Sequence, residues 1–413
     1  MKHLLIIFIS ILTLTIQAQD FSEWRGPNRT GVYNEINLLT EWPDNGPTML
    51  WSAENLPKGY SSVAVANKMI YFTGIVENSD VVLAYDLYGN LLWEAVYGRA
   101  WDATFDHSRC TPTVDGNRLY VSSGMGDLAC INAIDGSFIW QVKASELYKG
   151  TYGKWGISES LIVLDNKVFY TPGGDLTTTI ALDKLTGELI WKSESLKDKP
   201  AYVSPILYKH NDKYQIANVT ENYAFAFNPE NGEILWKFDF GSFSNAKGWN
   251  IQAVSPVYHD GFIYITAGYD HKGVMLEIAK NGKFVKLAWS DENLDVHHGG
   301  VVRIGDYIYG ANWKGNKNGN WLCLDWKTGK VMYDQEWFSK GSIISAEGML
   351  YCYEEKTGNI ALVKADPKEF KIISSFEVPL GSGPHWSHLV IKDGVLYIRH
   401  EDALMVYDIK NSF

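Results

Sequence analysis

The sequence predicts an all-β fold: an eight-bladed β-propeller of four-stranded antiparallel blades, with the ring closed by its N- and C-terminal strands. Three observations predict it. The first is a repeated pattern. Residues 180–191 read Ile-Ala-Leu-Asp-Lys-Leu-Thr-Gly-Glu-Leu-Ile-Trp, so alternating apolar residues enter a Thr-Gly turn and a second apolar run leaves it to end on tryptophan. Alternation on both sides of a glycine turn is a hairpin signal. Related stretches end at Trp93, Trp140, Trp236, Trp289 and Tyr333, and a worn copy without the glycine turn ends at Phe376. The second observation is spacing: these closing aromatics lie 43 to 53 residues apart, the length of one four-stranded blade. The third is complementarity of the ends. An eighth copy starts at Ala403 but the sequence stops at Phe413, and the missing outer strand is available as Thr48-Met49-Leu50-Trp51. Joining them pairs two edges that would otherwise be exposed.

The intact copy, with Ala181, Asp183, Thr186, Gly187 and Trp191 in place, resembles the tryptophan-docking repeat of the pyrroloquinoline quinone (PQQ)-like propellers. The resemblance spans roughly residues 48–413 and implies that each tryptophan packs between adjacent blades. That family includes quinoprotein dehydrogenases and the non-catalytic propeller of the outer-membrane β-barrel assembly machine, so it implies a fold rather than an activity.

Residues 1–19 read as a signal peptide: Lys2, an apolar run over 4–16 too short to span a bilayer, then Gln17-Ala18-Gln19. The expectation is an exported chain, periplasmic or extracellular, with no transmembrane segment in its mature form. Residues 20–47 are an N-terminal arm. Its stretch Trp24-Arg25-Gly26-Pro27-Asn28-Arg29-Thr30-Gly31 is rich in turn formers and looks like the opening of many secreted PQQ-like propeller proteins. The arm is expected to lie over the ring, anchored by Trp24 and Trp42, with its arginines solvated. Residues 48–413 form the propeller. Cys110, Cys130, Cys323 and Cys352 are expected to be small buried hydrophobes rather than disulfide partners, because Cys110 and Cys130 fall two strands apart in one sheet.

Aligning the blades on the aromatic of each second strand exposes a diversified column. Two residues before the Ser/Thr position that opens each first strand, it reads Tyr60, Arg109, Glu159, Tyr202, Ala253, His298, Lys340 and Trp386. Blade packing alone would favour similar small or apolar residues here. Topology puts the column at the channel mouth, on the face opposite the glycine turns. His107, Trp155, Trp249, Gln252, His297, His385 and His388 lie nearby. Such a concave, aromatic-lined place is the default ligand site. The expected ligand is small and anionic or carbohydrate-like. Arg109 and Lys340 would meet an anion; His107, His298 or His385 would serve as acid or base; Tyr60 or Tyr202 would donate a proton. Metal binding is not expected, because adjacent histidines, and histidines three apart, point to opposite faces of a strand.

Two further functions stay open. A quinoprotein oxidoreductase of the resembled family would carry adjacent cysteines and an acidic calcium site. The chain has no adjacent cysteines and few acidic residues near the blade entries, so PQQ is not the favoured cofactor and the cofactor stays unknown. A non-catalytic scaffold with an envelope protein partner is the other. A net charge of −11 argues against general nucleic-acid binding, and a monomer is expected.

Overall fold

A computed structural model describes residues 20–246 and 250–411; the expected signal peptide and Trp249 lie outside the described residues. Eight four-stranded antiparallel blades follow one another round a ring, the first seven each built from consecutive strands in simple order. Blade 1, for example, is Ala64–Ala66, Met69–Val76, Ser79–Asp86 and Leu91–Arg99. The eighth blade takes three strands from the C-terminal end and its outer strand, Thr48–Ala53, from the N-terminal one. Met49 pairs with Tyr407 and Ala53 with Leu404.

The core lies between blades. One cluster packs Tyr71, Val82 and Ala84 of blade 1 against Val114, Leu119 and Val121 of blade 2. Another joins Ala217 and Trp236 of blade 4 to Ile263 and Leu276 of blade 5. The four cysteines are buried and unpaired.

The repeated hairpin explains how blades lock together. In each of the first six blades the register between third and fourth strands slips by one residue beside the closing aromatic, as between Ala181 and Leu182 opposite Trp191; in blade 7 the slip lies between Leu362 and Val363, away from Phe376. Such a bulge re-aims a side chain. Here the tryptophan faces the glycine turn of the next blade. Gly187 has φ +75, and a Cβ there would sit 2.8 Å from the Trp140 ring. Trp93 covers Gly136, Trp191 covers Gly232, Trp289 covers Gly329, and Trp51 carries the series across the seam to Gly89. The indole N–H of Trp140 donates to Lys184 O at 3.0 Å in that same turn. Trp140 and Trp236 are buried, whereas Trp191 is half-buried. Trp236 breaks the pattern and donates to the Tyr208 hydroxyl at 3.2 Å. Gly46 of the arm sits under Phe376, so the arm supplies the eighth blade's glycine turn.

The arm departs from expectation. It runs inside the ring: Phe21–Ser22 pairs with the inner strand of blade 2, and Val32–Tyr33 with that of blade 7. Arg25 and Arg29 are buried, not solvated. Arg25 donates to Gly299 O and Val301 O of blade 6, to Ile343 O of blade 7, and to His388 Nδ1 of blade 8. Arg29 donates to Ser160 O and Leu161 O of blade 3 and to Pro205 O of blade 4. The two guanidiniums satisfy channel-facing carbonyls at the inner strands, of which Gly299 O and Leu161 O accept also from Ile343 N–H and Thr113 Oγ1. Trp42 is anchored as expected, against Tyr351 and Phe376.

Candidate functional site

A ring of hydroxyls sets the height of the site. Ser62 N–H donates to Thr111 Oγ1 at 2.9 Å, Thr111 N–H to Ser160 Oγ at 3.0 Å, and Ser160 N–H to Ser204 Oγ at 3.0 Å. Two residues before these stand Tyr60, Arg109, Ser158 and Tyr202, and all four line one cavity of about 1010 Å³ at the channel mouth. Ala253, His298 and Trp386 line it too, with Trp155, His297 and His388. Trp24 of the arm also faces it.

The hydroxyl ring corrects the column in blade 3, where the position belongs to Ser158 rather than Glu159. A slip of one residue turns a side chain to the other face. Glu159 is buried behind the wall, accepts from Thr171 N–H at 3.2 Å, and burial pushes its carboxyl up to about 8.

Other expected residues also sit outside the cavity. Gln252 is buried and donates to Glu221 O at 3.3 Å. His385 is packed beneath the wall, 2.6 Å from the Tyr353 hydroxyl and stacked at 3.6 Å on His400. Burial and that neighbour pull its pKa down to about 3. His107 supports the wall from behind: its Nε2 lies 3.0 Å from Glu401 Oε1 and its ring 5.0 Å from Tyr60. Burial lowers its pKa despite that carboxylate.

Lys340 is not free to meet an anion. Its ammonium is buried against Glu355 and donates to Gly315 O at 3.1 Å, so truncating it would strand a buried carboxylate. Arg109 holds two backbone carbonyls, Trp155 O at 2.8 Å and Phe105 O, while remaining in the cavity wall. Burial raises the phenols of Tyr60 and Tyr202, so both are neutral hydrogen-bond donors at ordinary pH. A tricarboxylate quinone does not suit this set: the lysine is neutralised, the arginine is shared, and no two cysteines are adjacent.

Sequence reasoning missed the groups that face this column. Glu355, Tyr269 and Trp313 line the cavity from loops between second and third strands. That connection opens on the same face as the blade entries but varies in length, so no register reaches it. His297 and His298 lie in a bend rather than a strand, so alternation does not separate them. Their ring centroids are 4.3 Å apart, and both face Glu355. The glycines after them were a legible signal: a Cβ on Gly300 would meet the Arg25 guanidinium at 2.1 Å.

Fold and site together define a tryptophan-docked eight-bladed propeller with an aromatic cavity at one channel mouth. The family model described as "Outer membrane protein assembly factor BamB" matches residues 77–335, more than half of the chain, and the chain belongs to that family. Among relatives, it is 27% identical over 188 residues to an outer membrane protein assembly factor BamB of Kangiella koreensis, covering 44% of this chain and 43% of that one. It is 28% identical over 158 residues to the uncharacterized protein RC0314 of Rickettsia conorii, covering 34% and 35%. The chain therefore spans well under half the length of these two relatives. A tetrathionate hydrolase of Acidithiobacillus ferrooxidans is 23% identical over 376 residues, covering 76% of this chain and 70% of that one. Among solved structures, BamB from Moraxella catarrhalis superposes with TM-score 0.63 at 14% identity, covering 89% and 98%. A europium-containing methanol dehydrogenase does so with TM-score 0.67 at 12% identity, covering 90% and 88%. These structural likenesses speak to the fold alone. Among the described residues, no helix is long and apolar enough to cross a membrane.

Proposed function

We propose that this chain is an exported, envelope-located propeller whose channel-mouth cavity binds a carbohydrate-like ligand carrying an anionic group. One observation carries the reading: the cavity is walled by aromatic rings from several blades, Tyr60, Trp155, Tyr202, Tyr269, Trp313 and Trp386, with Arg109 among them. Flat rings suit the apolar faces of sugar rings, and a few polar groups among them fix orientation. Arg109 keeps guanidinium donors beyond its two carbonyl bonds and is suited to a carboxylate or sulfate. Similarity to BamB proteins supports the envelope location.

The test is tryptophan-fluorescence titration and calorimetry with neutral and uronic or sulfated oligosaccharides. Anionic oligosaccharides should bind and neutral ones should bind more weakly. Trp386→Ala should lower affinity at least about tenfold, since an aromatic contact is worth roughly 1.5 kcal/mol. Arg109→Ala should erase the preference for the anion. Failure of every oligosaccharide to bind, or binding unchanged in both variants, would remove the reading.

A second reading, a partner-binding scaffold, has its own observation. The outer strands of blades 1 to 3 each begin with two exposed apolar residues: Leu91 and Leu92, Phe138 and Ile139, Leu189 and Ile190. A scaffold would lose its envelope partner when these become serine, with cavity binding untouched.

A further inference from the structure

We propose that His297, His298 and Glu355 form a binding site for one divalent transition-metal ion, zinc by its ligand chemistry, opening into the channel-mouth cavity. The three ligand atoms lie within 4.8 Å of one another. His298 Nε2 is 3.1 Å and His297 Nδ1 4.0 Å from the same carboxylate oxygen, Glu355 Oε2. In a tetrahedral site with bonds of about 2.1 Å, neighbouring ligand atoms stand about 3.4 Å apart, so the measured distances bracket the required ones.

The three atoms are also the ones left over. Each is buried and none makes a well-aligned hydrogen bond, although His298 Nε2 and Glu355 Oε2 are in ion-pair contact at 3.1 Å. Three such atoms converging on one point are costly unless something joins them. Glu355 is 6% exposed, so water does not routinely serve it. Two imidazole nitrogens and one carboxylate oxygen are a donor set for zinc or iron(II) and a poor one for calcium or magnesium.

The outer contacts are those a metal site needs. His297 Nε2 lies 2.8 Å from the Tyr269 hydroxyl; with that nitrogen donating, Nδ1 presents its lone pair. Glu355 Oε1 accepts from Lys340, which leaves Oε2 turned inward. The main chain of His298 is fixed through its carbonyl, which accepts from His388 Nε2 at 3.0 Å, and His388 is held in turn by Arg25. Outer partners of this sort orient ligands and tune affinity. Lys340 opposes the dication electrostatically, so binding rests on the imidazoles, and the order of affinities should follow nitrogen preference rather than charge. Trp386 of the cavity wall stands beside the cluster, its ring 5.3 Å from that of His298. A metal there would act on a cavity ligand as a Lewis acid.

The proposal deepens the reading of the cavity, but its test needs no organic ligand, so the two can fail separately. The full chain is stripped with a chelator, dialysed, and titrated with Zn2+ alone by calorimetry, with Co2+ alone by visible absorption, and with Ca2+ as the contrast. One Zn2+ per chain, tetrahedral Co2+ bands and no Ca2+ binding are expected. His298→Ala and Glu355→Gln should each lower Zn2+ affinity by about 100-fold or more, and Tyr269→Phe, which keeps the ring, by about tenfold. His259→Ala, on an exposed residue, should change nothing. Circular dichroism identifies any variant that fails to fold, and Tyr269→Phe then decides. Substoichiometric Zn2+, equal uptake of Ca2+, or affinity unchanged in folded Tyr269→Phe and Glu355→Gln overturns the proposal.

Discussion

A single carboxyl group gives the sharpest residue-scale prediction. Burial pushes Glu159 up to about 8 in the fold, with Arg29 working the other way, against an ordinary value near 4.3 in the unfolded chain. Between those values the folded state holds a proton that the unfolded state has released. Its contribution is fully present at acid pH and is lost as pH rises from about 4.3 to about 8, at up to roughly 1.4 kcal/mol per pH unit. Glu159→Gln keeps the shape and removes the proton, so its unfolding free energy, measured in urea across that range, should lose this slope and exceed that of the parent at pH 8. Glu159 also shows how far the sequence could be read. Tyr60, Arg109, Tyr202, His298 and Trp386 were placed in the wall because their blades carry clear strand signals. The sequence misplaces Glu159 because Ser158 and Glu159 compete for the same register, and only the hydroxyl ring through Ser160 decides.

At the scale of the element, the bulged hairpin with its tryptophan cap makes the blades cohere. Its glycine has two independent reasons to be glycine: a left-handed backbone, and an indole where a Cβ would go. Gly187→Ala should therefore cost more than backbone strain alone, about 2–4 kcal/mol. Trp140→Ala, which uncovers the same turn, should cost about 3–5 kcal/mol. The two residues are in contact, so the double variant should lose less than the sum. Additive losses in a denaturant double-mutant cycle would show that cap and turn act separately. This device was legible from Trp, Gly and spacing. Its exception was not: Trp236 turns to Tyr208 because the turn of blade 5 is built differently, and a Cβ on Gly282 would meet Gln215 and not an indole.

The whole molecule is held by a segment that belongs to no blade. Arg29 satisfies three carbonyls from two blades, and its buried ion pair with Glu23 at 2.9 Å keeps it in place. The backbones of Arg25 and Arg29 are left-handed, at φ 62 and 58, which costs roughly 1–2 kcal/mol each and persists only because the channel fixes them. Arg29→Ala takes the guanidinium from Ser160 O and Pro205 O and leaves Leu161 O only Thr113 Oγ1, and should lower stability by about 2–4 kcal/mol. It should leave Zn2+ affinity unchanged, because the metal candidate lies across the channel near Arg25. A variant as stable as the parent in chemical denaturation would show the arm to be a passenger. No sequence rule would have found this. The partners of the arginines are backbone groups, and backbone groups leave no trace in composition.

The seam of the eighth blade has a consequence for how the chain is made. Thr48–Ala53 leaves the ribosome ahead of every other blade strand, yet its partner, Ala403–Asp408, emerges only after seven blades have done so. Until then this early strand waits with a bare edge while seven blades can stack beside it. A message cut short before codon 403 thus removes the seat of residues 48–53 as well. Lesions in the codons for 48–53 and in those for 403–408 should converge on one defect, an open arc in place of a circle.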